Sequence, residues 1–113
     1  MHSQQDISLV IRELCAGLQP LFPQSSMDAI LFGSYARGDA DAESDIDVMI
    51  LVDSSRQEIS EKTWQIGTVA AELLLKNGVF VSPIVENRRY FQKNAAFLPL
   101  YRNIAQEGVS VRA

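Results

Sequence analysis

The sequence predicts an α/β domain: a small mixed β-sheet flanked by helices. Three observations predict it. Segments with helical periodicity alternate with short apolar runs. Two of those runs, residues 29–32 and 48–52, flank a turn of Gly, Ser and charged residues, and a third, residues 79–85, follows the longest helical segment. The chain has 113 residues, 47% of them apolar, which suffices for one core in a single domain spanning residues 1–113.

Residues 6–18 carry Ile7, Val10, Ile11 and Leu14 at i, i+3, i+4 and i+7, and Leu18 extends the same face. That spacing predicts an amphipathic helix, with Ser3 or Asp6 as its cap. Cys15 lies beside Leu14 and Leu18 and reads as a small core residue; a reactive thiol would want a base nearby. Pro20 and Pro23 end the helix in a loop. Residues 27–32 read as the first strand, apolar apart from Asp28 and therefore central in the sheet. Residues 45–52 are the second strand. In the turn Asp53-Ser54-Ser55 either serine can open a long helix that runs to about Asn77. Ile59, Trp64, Ile66, Val69, Ala70, Leu73 and Leu74 form its apolar face, which places Trp64 in the core rather than against a ligand. Asn77-Gly78 stops the helix. Residues 79–85 are the third strand. Pro83 donates no hydrogen bond, which puts this strand at an edge or gives it a bulge. Residues 87–93 suit one helical turn, and Pro99 sits in the first turn of a last helix ending near Gly108.

The chemistry concentrates between the first two strands. Gly33 permits a sharp turn and a close ligand approach. Ser34 offers a hydroxyl, and backbone N–H groups of such a turn can point at phosphate oxygens. Asp45 and Asp47 stand at the start of the second strand, two apart and so on one face. Two carboxylates so placed repel each other unless a cation sits between them. Mg²⁺ suits that role, because it binds through one or two carboxylates plus substrate phosphates. A phosphate cradle followed by an acidic pair handles nucleotides.

Gly33-Ser34, Arg37-Gly38 and Ser44-Asp45-Ile46-Asp47 resemble the Gly-Ser … Asp-x-Asp signature of the DNA polymerase beta-like nucleotidyltransferase superfamily. The short chain is similar to the minimal, MNT-type members often paired with HEPN toxins. The resemblance implies the nucleotidyltransferase fold and transfer of a nucleoside monophosphate, AMP from ATP, to an acceptor hydroxyl. Asp45 and Asp47 would be catalytic and hold Mg²⁺, while Gly33, Ser34, Arg37 and Ser44 would bind the nucleotide. A protein acceptor is implied, such as a tyrosine on a cognate HEPN-type toxin, with this chain as antitoxin. The alternative is a weak or inactive module of the same fold that binds and neutralises its partner.

One departure favours that alternative. Active members of the superfamily usually carry a third carboxylate on a later strand, and residues 79–85 contain no acid. Ser82 occupies the matching position, and Glu86, at the strand end, is the nearest acid that could substitute.

Each remaining candidate has a plainer reading. Arg37 can pair with Asp39 or Asp41, or contact phosphate. Asp39, Asp41 and Glu43 read as solvated loop charges, and Ser44 as shaping the turn by a local hydrogen bond. Tyr35 faces the expected cleft and is the stacking candidate; His2 lies in a terminal tail. The net charge of −4 argues against nonspecific nucleic-acid binding, which needs a basic face. No apolar run reaches membrane-spanning length, no signal peptide opens the chain, and a lone cysteine excludes an internal disulfide, so a cytoplasmic location is expected. The acceptor, the base preference and the oligomeric state are left open.

Overall fold

Alternation along one strand decides the layering. The computed structural model describes residues 4–41 and 43–111. Strands β1 (Asp28–Phe32), β2 (Ile46–Val52), β3 (Val81–Asn87) and β4 (Val109–Val111) form one sheet in the order β3-β2-β1-β4. β1 runs antiparallel to both β2 and β4, whereas β2 and β3 are parallel. On β2, Ile46, Val48, Ile50 and Val52 face one side, and Asp47, Met49 and Leu51 face the other.

Helices α1 (Gln4–Leu18), α3 (Arg56–Glu61) and α4 (Thr63–Asn77) cover the first side. Ile7, Val10, Ile11, Leu14 and Leu18 all enter that core, with Ile59 and Leu73 from the two later helices. The helical periodicity of residues 6–18 thus marked the buried face correctly. Cys15 is buried there, and burial raises its thiol pKa, consistent with an inert packing role. Helices α5 (Arg88–Asn94) and α6 (Pro99–Glu107) cover the second side. Phe91 and Ile104 pack on Met49 and Leu51 in a smaller core.

β1 is an inner strand and β3 an edge strand, as expected from Asp28's lone polarity and from Pro83. Pro99 opens α6 and Gly108 caps it. Three expectations are corrected. First, the long helix is two helices. Thr63 Oγ1 donates to the Ser60 carbonyl at 2.8 Å, and Lys62 N–H bonds back to Ile59 O at 3.0 Å, which breaks the regular ladder at Lys62. Second, Trp64 is not core: it is 85% exposed. Third, α1 begins at Gln4, so Asp6 lies inside its first turn, where a negative charge suits the helix dipole, rather than at the cap; Ser3 and His2 lie outside the described residues. β4 comes in addition to the three expected strands, because three residues of mixed polarity carry no periodicity.

Arg88 ties the far end of the sheet together. It pairs with Asp28 of β1 and, at 3.2 Å, with Asp53 just after β2. Phe32 of β1 and Asp47 of β2 face each other at the other end of the sheet.

Candidate active site

Strand pairing builds the site. β1 ends at Phe32, directly opposite Asp47 in the antiparallel register. The turn leaving β1 therefore lies against the carboxylates that begin β2. Gly33 has φ 74°, and a Cβ there would lie 2.3 Å from Oδ2 of Asp47. Its positive φ and this contact each exclude a side chain. Ser34 opens α2 (Ser34–Arg37), a single helical turn capped by Gly38. The Ala36 and Arg37 N–H groups donate to the Gly33 carbonyl at 3.1 Å, which holds the turn closed.

Asp45 is exposed immediately before β2, and Asp47 is half-buried as its second residue. The loop before them is shaped as expected of Ser44. Its Oγ accepts from Asp41 N–H at 2.9 Å and donates to Asp41 Oδ1 at 3.2 Å. Burial raises the Asp47 pKa, the negative charge of Asp45 raises it further, and Arg37 opposes the rise. Asp47 thus carries a negative charge that Arg37 relieves only in part. Arg37 itself takes its plainer role as well, pairing with Asp39 at 3.3 Å on the surface.

The parallel neighbour supplies the other wall. Ser82 stands level with Asp47, and its Oγ donates to Asp45 Oδ2 at 3.3 Å. The strand thus brings the serine, not an acid, to the pair. Glu86 lies four residues further along β3, level with Leu51 and roughly 13 Å away at strand spacing. It is only 4% exposed. Its carboxylate accepts from Tyr101 OH, from Arg56 Nε at 3.2 Å and from Asn87 N–H at 2.8 Å. The idea that Glu86 reaches the acid pair is corrected: three donors hold it at the opposite end of the sheet. Among the described residues, no cluster of three His, Cys, Asp or Glu side chains that could hold a metal ion occurs. Two hard oxygen donors in mutual repulsion nevertheless fit a divalent cation that takes its remaining ligands from phosphates and water.

Tyr35 packs against the larger core rather than standing in an open cleft. The exposed aromatic at this end is Phe80, just before β3, whose sequence is that of one more apolar strand residue. Its carbonyl accepts from Ile46 N–H at 2.9 Å, which sets it beside Asp45, and the residue is 60% exposed.

A nucleotidyltransferase domain profile matches residues 11–107, a span that includes the Gly33 turn, the acid pair and Ser82. The chain belongs to the nucleotidyltransferase domain family. Two proteins of Methanocaldococcus jannaschii, each named as a putative protein adenylyltransferase, are similar to it. One is 36% identical over 98 residues, covering 87% of this chain and 90% of the relative. The other is 39% identical over 80 residues, covering 71% and 79%. No solved structure matches the chain significantly. The four-stranded mixed sheet with helices on both faces is the architecture expected of a nucleotidyltransferase, and nucleotidyl transfer is the activity class of this domain. No helix among the described residues is long and apolar enough to cross a membrane.

Proposed function

We propose that this protein transfers AMP from ATP to a hydroxyl group on a partner protein. The observation that carries the reading is the contact between turn and acid pair. Gly33 leaves no room for a side chain against Asp47, so a glycine-serine turn and two carboxylates meet at one open sheet end. The names of the two archaeal relatives support a protein acceptor.

In this reading Asp45 and Asp47 would hold Mg²⁺, which when bound neutralises phosphate charge and polarises the phosphoryl group. Gly33 and Ser34 position the triphosphate, and Arg37 balances its charge. Ser44 keeps the loop before Asp45 in shape. The acceptor oxygen bonds to the α-phosphorus, the bond from that phosphorus to the bridging oxygen breaks, and pyrophosphate leaves. The hydroxyl proton passes to solvent, since Ser82 is a poor base. Attack is in line, so the acceptor approaches opposite the leaving group. With the triphosphate on the β1 side of the pair, that approach is from the β3 side, past Ser82 and Phe80.

A second reading has a specific observation behind it. Ser82, hydrogen-bonded to Asp45, offers a neutral hydroxyl where a third acid would stand. That favours a slow or silent transferase that binds and neutralises a partner, as an antitoxin does its HEPN-type toxin. Two measurements separate the readings. Mg²⁺–ATP should raise the melting temperature of the wild type by mass action, and Asp45→Asn with Asp47→Asn should abolish the rise. Mass spectrometry of the protein encoded by the neighbouring reading frame, incubated with this chain, Mg²⁺ and ATP, should show an added AMP. Partner binding without that mass gain selects the second reading; an undiminished thermal shift in the double variant removes the nucleotide role from the pair.

A further inference from the structure

Ser82 brings a hydroxyl of the chain's own to the acid pair. Its Oγ donates to Asp45 Oδ2 at 3.3 Å. A serine hydroxyl has one proton to donate and two lone pairs to accept with. The proton is committed to Asp45, and no group among the described residues donates to the oxygen, so both lone pairs stay open on an exposed side chain. A nucleophile attacks with a lone pair, and a hydrogen bond from its O–H to a carboxylate makes that attack easier.

The placement of Ser82 is as specific as its bonding. β2 lies between β1 and β3, and Asp47 stands level with Phe32 on one side and with Ser82 on the other. The Gly33 turn and Ser82 therefore flank the acid pair from opposite sides, roughly 10 Å apart at strand spacing. In phosphoryl transfer the attacking and leaving oxygens stand in line across the phosphorus. With the triphosphate on the Gly33 turn, pyrophosphate leaves on the β1 side, and attack comes from the β3 side, where Ser82 stands. The other hydroxyls at this end are badly placed for attack. Ser34 opens α2 on the leaving side. Ser44 Oγ is tied to Asp41 by two bonds. Tyr35 packs against the larger core.

We infer that Ser82 is itself an acceptor, and that the chain adenylylates its own Ser82 when it holds Mg²⁺ and ATP. Ser82 Oγ bonds to the α-phosphorus. The bond from that phosphorus to the bridging oxygen breaks, pyrophosphate leaves with the electron pair, and the hydroxyl proton passes to solvent. The product is a serine–AMP phosphodiester, one per chain. The inference rests on the nucleotide reading given above, but it needs no partner protein.

Intact-mass measurement of the full chain incubated with Mg²⁺ and ATP tests it. Wild type should gain the mass of one AMP, and peptide fragmentation should place that AMP on Ser82. Ser82→Ala, a change at an exposed residue, should show no gain while circular dichroism stays that of a folded protein. Ser82→Thr, which keeps a hydroxyl, should restore the gain. ATP with a methylene group in place of the α,β-bridging oxygen should give no gain, because the bond that must break is replaced. That analogue also gives a readout without turnover: with Mg²⁺ it should raise the wild-type melting temperature by mass action. A raised melting temperature with no mass gain from ATP overturns the self-transfer and leaves the nucleotide reading standing. The absence of both removes the nucleotide reading and the self-transfer together. A gain that survives in Ser82→Ala, or that maps to another residue, overturns the assignment to Ser82.

Discussion

Asp47 carries a cost that its neighbour Arg37 relieves only in part. Its folded pKa lies above the unfolded value, because burial and Asp45 both disfavour its charge. A raised pKa contributes stability that is fully present below the unfolded pKa and is lost as pH rises through the folded one. At neutral pH, therefore, the ionised Asp47 destabilises the fold. Asp47→Asn should raise the melting temperature there, and the gain over wild type should fade as pH falls to and below the ordinary aspartate range. Thermal melts of both proteins across pH check this; a gain that persists in acid would assign it to packing. Ser82 poses the complementary question. Ser82→Asp adds an acid beside Asp45. The single-turnover transfer rate should rise with little change in ATP affinity, since the nucleotide brings its own phosphate ligands. An unchanged rate would place acceptor activation elsewhere. At this scale the site was legible where backbone demands are strict. Gly33, Asp45 and Asp47 could be picked out because a sharp turn favours glycine and two acids two apart share one face of a strand. Phe80 could not, because an exposed phenylalanine and a buried one look alike in one dimension.

Among the elements, local signals read well where side chain and backbone cooperate. Ser55 caps α3: its Oγ accepts from Glu58 N–H at 3.1 Å while the Glu58 carboxylate accepts from Ser55 N–H at 3.2 Å. Ser55→Ala should cost about 1 kcal/mol, read as a lower urea midpoint at constant slope. Ser54→Ala should cost little by comparison, because Ser54 offers its backbone carbonyl to Asn87 rather than a cap. Either serine was a candidate from sequence; the folded helix start selects one. Gly78, at φ 68°, ends α4 as its place after Asn77 suggests, its N–H bonding to Leu74 O at 2.8 Å. The break at Lys62 was hidden, because no proline or glycine marks it and one threonine hydroxyl makes it.

Across the whole molecule, Glu86 shows how distance along a strand becomes distance from the chemistry. It joins β3 to α3 and α6 through Arg56 and Tyr101, and Arg56 stacks 3.7 Å over the Tyr90 ring. Burial first, and then the bond to Glu86, push the Tyr101 hydroxyl pKa up. Glu86→Gln would turn an amide donor toward one of three donors and cost about 1–3 kcal/mol of stability. It should leave the transfer rate per folded molecule unchanged. Urea unfolding paired with single-turnover kinetics checks both halves, and a lost rate at full folding would return Glu86 to the reaction. By itself the sequence determined the first three strands and the helices between them, the inner place of β1 and the edge place of β3, and the Gly33-Ser34 turn followed by Asp45 and Asp47. Those features rest on periodicity, proline chemistry and backbone freedom, which act over a few residues. Only the tertiary structure decided that Ser82 meets Asp45, that Glu86 does not, and that Trp64 faces out. Each of those depends on the register between strands or on which side of a helix finds a partner. No window of neighbouring residues contains that information, because the contacts join positions tens of residues apart.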